Sequence, residues 1–318
     1  MDLKIFYRNL ATLIACIFYW PSYATSRSIF IEPNASYTPV ISQINSAKQS
    51  INMAMYILTD YRIINALIKA QRRGVNVHII LEKNIYGGSK KPQRTKRKLT
   101  AAGIQVKWSD PNYFSLTHEK AFDVDGKTLT IMTLNQTYSA YHYNREYGVI
   151  DKDKKDNIAF EKIFNGDWHR EYYKITPSQL IWSPNNASCQ LLAFIESAKK
   201  SIQIESEELN DKMIENSLIQ KAQDGIDVRI IMPPQKDKTS QKHVMKGGVQ
   251  LRVLSNKNKQ LYMHAKMIIV DGKQAFIGSE NLSPYSLQMN RELGILVSTL
   301  DNINTLKRSF AFDWQSAN

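Results

Sequence analysis

Cysteine is almost absent from this chain: Cys16 and Cys189 are the only two among 318 residues. A single pair permits no disulfide framework and no zinc site built on thiolates. Acidic residues are also in short supply, 29 against 42 lysines and arginines, which leaves a formal net charge of +13 and a pI near 9.5. That imbalance points to an anionic partner such as nucleic acid, a phospholipid surface or a phosphate ester, without choosing among them. Nor is there an apolar run of the roughly 20 residues that a membrane-spanning helix needs. Hydrophobic content of 43% and charged content of 22% are otherwise those of a globular protein able to bury a sizeable core.

The most apolar stretch lies at the amino terminus. Lys4 and Arg8 precede the mainly apolar residues 10–20, and Ser22-Tyr23-Ala24 offers a small-x-small cleavage site. This reads as a secretory signal peptide over residues 1–24, and hence as a secreted or periplasmic protein. Two rival readings are lipoprotein processing at Leu13-Ile14-Ala15-Cys16 and an uncleaved anchor close to the membrane. Removing residues 1–24 takes away Lys4, Arg8 and Asp2, so the basic excess stays with the remainder. Cys189 then stands alone, and folding must rely on the core.

The chain repeats itself. Residues 44–81 align without gaps to 195–232 at a shift of 151, matching Ala47 with Ala198, Asp60 with Asp211 and Gly74 with Gly225. Further on the shift becomes 146: Asn144-Arg145-Glu146 matches Asn290-Arg291-Glu292, and Phe164-x-x-Asp167-Trp168 matches Phe310-x-x-Asp313-Trp314. The reading is a tandem duplication, residues 25–175 and 176–318. In each copy helical stripes alternate with short apolar strands. Asp60 is a natural N-cap for a helix with Ile63, Leu67 and Ala70 on one face, closed by Gly74. The expected fold class is α/β, two tandem halves related by a pseudo-twofold axis, each a mixed sheet flanked by helices, with the site at their interface. Such a chain is a monomer with an internal pseudo-dimer. Residues 84–100, which carry Lys90, Lys91, Arg94, Lys96, Arg97 and Lys98, read as a basic loop. Its counterpart carries Lys236, Lys238, Lys242, His243 and Lys246. Placed at the mouth of a site, such loops would draw in phosphate, with Lys90, Lys91 and Arg94 as candidate substrate-binding residues.

Of only six histidines, two head one motif. His118, Lys120 and Asp125 stand in the spacing H-x-K-x4-D, and so do His264, Lys266 and Asp271; Asn135 and Asn281 each follow seventeen residues after the histidine. Residues two apart on a strand share a face, so each histidine lies beside its lysine. Asp271-Gly272 signals a two-residue hairpin turn. Val270 would then pair with Lys273 and His264 with Ser279, bringing Ser279 and Asn281 onto the face of His264 and Lys266. Asp125 and Asp271 would sit at the hairpin tips, about 20 Å from the histidines at about 3.3 Å per residue, in a structural role. The first copy has Met132-Thr133 where the second has Gly278-Ser279; Thr133 keeps a hydroxyl toward substrate, but the lost glycine would narrow that side of the site.

Two such motifs, each followed by an Asn and then by N-x-E, resemble the phospholipase D superfamily over nearly all of residues 30–318, most closely its compact members, which include cardiolipin synthases, phospholipases and nucleases. The resemblance implies a phosphohistidine mechanism with no metal and no cofactor. His118 would attack phosphorus and His264 would protonate the leaving oxygen, although the symmetry of the residues alone permits the reverse. Lys120, Lys266, Asn135 and Asn281 would offset the charge of the transition state, and Glu146 and Glu292 would orient the imidazoles. A cation would be repelled by the two lysines, which argues against metal catalysis. The leading expectation is a phospholipase D that releases phospholipid headgroups and touches the membrane surface. The alternatives are a nuclease, favoured by the basic loops, a phosphatidyltransferase, and a catalytically inert anion-binding protein, which the retention of every motif residue in both copies disfavours.

Overall fold

The computed structural model describes residues 27–171, 173–176, 178–255 and 261–318; the leader expected over 1–24 lies outside them. Among the described residues no helix is long and apolar enough to cross a membrane. In chain order the first half comprises β1 (Arg27–Glu32), α1 (Thr38–Ser46), β2 (Ser50–Met55), α2 (Tyr61–Arg72), β3 (Asn76–Leu81), α3 (Lys91–Ala101), β4 (Gln105–Trp108), β5 (Lys120–Val124), β6 (Thr128–Met132), α4 (Tyr138–His142), β7 (Asn144–Asp151) and α5 (Lys154–His169). The second half runs β8 (Leu180–Ser183), α6 (Ala187–Glu196), β9 (Ser201–Ser206), α7 (Lys212–Gln223), β10 (Asp227–Met232), α8 (Thr239–Lys246), β11 (Gln250–Val253), β12 (Tyr262–Met263), β13 (Lys266–Val270), β14 (Gln274–Gly278), α9 (Pro284–Gln288), β15 (Glu292–Val297) and α10 (Leu300–Ser316).

Each half forms one mixed sheet. The first has the order β1-β7-β6-β5-β2-β3-β4, the second β8-β15-β14-β13-β9-β10-β11, so the two are the same sheet built twice. The central strands are buried along their whole length, every residue of β5 and of β13 included. Such strands are covered on both faces, and the apolar residues divide accordingly into three cores. One core, with Ile63, Leu67 and Phe122, belongs to the first half alone, and one, with Phe194, Leu218 and Phe276, to the second alone. The third lies between the sheets and mixes Ile131, Tyr147 and Phe160 with Met267, Ile277 and Phe310. That shared core makes the halves one body.

The N-cap expected at Asp60 forms: its carboxylate accepts the backbone N–H of Arg62 at 2.8 Å, and Asp211 caps α7 in the same way. The hairpins differ from expectation by one residue. Asp271 and Gly272 adopt φ of 54° and 61°, and Lys273 N–H donates to the Val270 carbonyl, so a tight turn does form. The ladder nevertheless resumes at Gln274, which pairs with Val270, leaving Lys273 as an extra residue; Val124 and Thr128 repeat the arrangement. A one-residue shift exchanges the faces of a strand. Ser279 therefore does not lie opposite His264. The basic loop is also corrected. Residues 91–101 are helix α3, because Pro92 opens it and Pro92, Thr95 and Leu99 give it a buried face, while Lys91, Arg94, Arg97 and Lys98, good helix formers, are exposed and Lys96 folds back over Trp108. Its counterpart is likewise a helix, α8.

Candidate active site

Asp125 and Asp271 build the frame from a distance. Each occupies the left-handed region at its hairpin tip, and each carboxylate gathers three backbone N–H groups of the segment leading into the neighbouring strand. Asp125 takes those of Lys48, Gln49 and Ser50 at 2.7–3.0 Å by its nearer oxygen, and Asp271 those of Lys199, Lys200 and Ser201 at 2.7–3.0 Å. Although burial pushes in the other direction, these donors hold both carboxyls below their ordinary range. β2 and β9 are thus pinned to the strands that carry the lysines.

The two histidines enter from segments that cross between halves. His118 N–H donates to the Arg291 carbonyl, and Arg291 N–H to that of Leu116; on the other side β12 pairs with β7, and Tyr262 N–H donates to the Tyr143 carbonyl. Each histidine is consequently set beside the carboxylate of the opposite half. His118 Nδ1 lies 2.8 Å from Glu292 Oε2, and His264 Nδ1 lies 2.7 Å from Glu146 Oε1. Both carboxylates are fully buried and further fixed: Glu292 accepts from Ser286 (2.6 Å) and Asn290 (3.2 Å), Glu146 from Thr133 (2.6 Å) and Asn144 (3.0 Å). A neutral imidazole that gives its Nδ1 proton to a carboxylate presents its Nε2 lone pair outward.

The lysines lie behind the histidines, each donating to the carbonyl of its own: Lys120 to His118 at 2.6 Å and Lys266 to His264 at 2.7 Å. Burial, reinforced by Lys266, pushes Lys120 down to about 7. Burial also lowers His118 below its usual value, with Lys120 and Lys266 acting in the same direction against Glu292. Glu292 stays ionised, held below the ordinary carboxylate range by His118, Lys120 and Ser286 despite its burial. His118, Lys120 and Lys266 thus lie within electrostatic reach of one another, and Lys266 Nζ lies 3.4 Å from His264 Nδ1. Asn135 and Asn281 each leave a buried amide oxygen without a hydrogen-bond donor, at matching positions of the two halves.

Several expected site residues fall elsewhere. Thr133 is fully buried and spends its hydroxyl on Glu146 while accepting Tyr147 N–H, so it supports a carboxylate and does not face substrate. Ser279, its counterpart, is equally buried and accepts Leu293 N–H at 3.1 Å. Met132 packs into the first half's own core and does not narrow the cleft; in the second half the side chain of Glu280 lies where a side chain at Gly278 would go. Lys90, Lys91 and Arg94 are exposed on and before α3. The segment leading to them does pass the cleft, since Tyr86 N–H donates to the Tyr56 hydroxyl and the Tyr56 ring packs edge-on against His118 at 4.6 Å.

Other residues escaped the sequence reading. Arg145 forms a bidentate pair with Asp313 at 2.5 and 2.9 Å, and Arg291 one with Asp167 at 2.8 and 2.8 Å, each arginine reaching into the other half. The repeat had flagged all four positions, and only their partnership was hidden. Glu207 was missed altogether. Its Oε2 lies 2.7 Å from Lys266 Nζ and 3.3 Å from His264 Nε2.

Paired sheets with a crossed histidine, lysine and carboxylate set from each half define the phospholipase D superfamily, and the chain belongs to it. Within that superfamily the family described as "Cardiolipin synthase, PLD-like domain" matches residues 40–168 and 191–314. The chain is 24% identical over 345 aligned positions to cardiolipin synthase 1 of Bacillus anthracis, covering 92% of this chain and 67% of that protein. It is 24% identical to cardiolipin synthase B of Escherichia coli K12, covering 82% and 73% respectively. Among solved structures, phosphatidylserine synthase of Haemophilus influenzae Rd KW20 superposes with a TM-score of 0.71 at 11% identity, covering 92% of this chain and 86% of that one. Polyphosphate kinase of Porphyromonas gingivalis gives 0.70 at 14% identity; this chain spans half its length.

Proposed function

We propose that the protein cleaves phosphodiesters through a phosphohistidine and that its substrates are phospholipids, with water as the final acceptor, the reaction of a phospholipase D. The observation that carries this reading is the crossed pairing of His118 with Glu292 and of His264 with Glu146 beside two buried lysines. His118, lowered by burial and with its Nδ1 proton given to Glu292, is the nucleophile. His264, with a carboxylate beside each of its ring nitrogens, acts as the acid. In the first step a bond forms between His118 Nε2 and phosphorus, the bond to the leaving alcohol breaks, and the proton of His264 goes to that alcohol. In the second, His264 takes a proton from water, the hydroxide attacks phosphorus, and His118 is released. Lys120 and Lys266 balance the added negative charge of each transition state.

Transfer of the phosphatidyl group to an alcohol is the second reading, favoured by the cardiolipin synthases among the relatives. The two differ only in what enters at the second step. Incubation with phosphatidylglycerol and phosphatidylcholine vesicles in EDTA, with products separated by chromatography, decides between them. Phosphatidate and free headgroup are expected; a diphosphatidyl product would mark the transferase. DNA and RNA serve as parallel substrates, and shortened strands with intact lipid would replace the proposal with a nuclease. His118→Ala and His264→Ala should each remove nearly all turnover, and a variant retaining it would overturn the assignment.

A further inference from the structure

His118, Lys120, Asn135 and Glu146 recur as His264, Lys266, Asn281 and Glu292, but the residue packed beside each histidine does not. Tyr56 and Glu207 correspond in the repeat, and their backbones are held alike: Tyr56 N–H donates to the Glu119 carbonyl and Glu207 N–H to that of Ala265, themselves corresponding residues. In the first half the tyrosine ring covers His118 and brings no charge into the cleft. In the second, one carboxylate oxygen of Glu207 bridges Lys266 Nζ and His264 Nε2, while Tyr262 lies 3.5 Å from the other. Burial alone would raise this carboxyl, yet His264, Lys266 and His118 hold it well below its ordinary range.

A bound phosphodiester needs the same two groups, Lys266 for a phosphoryl oxygen and His264 for the leaving oxygen. The phosphate and Glu207 cannot both hold them, and repulsion between two anions grows with the charge of the incoming one. The glutamate side chain is about a fifth exposed (21%), so it has a path out of the cleft. We propose that Glu207 is the resident anion of the second half's phosphate subsite: a phosphodiester displaces it on binding, and it selects singly charged diesters over doubly charged monoesters. This rests on the phosphodiester reading above. It gives the site a reason to hold a diester while shedding a dianionic phosphate product.

The test uses the whole protein and two probes, inorganic phosphate near pH 8, where it is largely a dianion, and dimethyl phosphate, a monoanion, with binding followed by calorimetry or phosphorus NMR. Glu207→Gln should bind inorganic phosphate about tenfold more tightly than the unaltered protein, equivalent to about 1.4 kcal/mol, and tighten on dimethyl phosphate distinctly less. Glu207→Ala, checked by circular dichroism, should behave alike without the amide. Unchanged or weaker phosphate binding in both variants, or equal tightening on both probes, overturns the proposal while diester binding by the unaltered protein keeps the functional reading intact. If the unaltered protein neither binds dimethyl phosphate nor cleaves any diester, both fall together.

Discussion

At the scale of single residues, the site is a set of buried ionisable groups whose protonation follows from their surroundings. The proposed nucleophile, His118, must be neutral to attack, and burial lowers it from 6.5. The acid limb of kcat/KM should therefore lie below 6.5, whereas Lys120, pushed down to about 7, should bring an alkaline limb near that value in the free enzyme. A pH–rate profile on a soluble phosphodiester checks both limbs. Glu32 makes a separate prediction. Burial raises it from 4.5 to about 8, opposed by the Ser36 N–H at 2.7 Å. Because the folded form keeps this proton while the unfolded chain loses it, the associated stability is complete below pH 4.5 and is lost as pH rises through about 8. Thermal melts should show Glu32→Gln gaining on the unaltered protein as pH is raised through that window. Histidines, lysines and asparagines of the motif were legible from spacing alone. Glu207 was not, because it announces itself only as a break in the repeat, and its meaning needs the distances to Lys266 and His264.

At the scale of elements, the hairpins explain both what spacing could deliver and where it stopped. Asp-Gly marks the turn correctly, but a sequence does not say whether the ladder resumes at once or one residue later, and that single residue decides whether Ser279 faces the cleft. Helix α3 was hidden for a different reason. Its charge suggested a loop, whereas its three buried positions, Pro92, Thr95 and Leu99, are too sparse to stand out against its five basic residues. Asp125 is the clearest test at this scale. Asp125→Ala removes three acceptor contacts at once and places a Cβ-bearing residue, without a side chain able to bond locally, at a positive φ. A loss of about 1–3 kcal/mol in denaturant unfolding is expected, together with a much smaller change in kcat for the molecules that remain folded. Asp271→Ala should behave alike, and a folded but inactive variant of either would contradict the anchoring role.

At the scale of the whole molecule, the halves are joined by contacts that all run across. Arg145–Asp313 and Arg291–Asp167 bridge them outside the cleft, His264–Glu146 and His118–Glu292 within it. Removing one member of a buried ion pair typically destabilises by 3–5 kcal/mol because the other charge is left alone. Asp313→Ala should therefore lower stability by about that amount. A double mutant with Arg145→Met should recover much of it, a non-additivity that denaturant melts can read. The exchange also has a historical side. At each crossing, the residue offered by one half is the one its counterpart offers back: arginine for arginine, aspartate for aspartate, glutamate for glutamate. A half-length ancestor bearing a single copy of each would have owned a complete reaction centre whenever two identical molecules met. Joining them end to end then left the two copies free to differ, as Tyr56 and Glu207 do, which no symmetric pair could have managed on one side only.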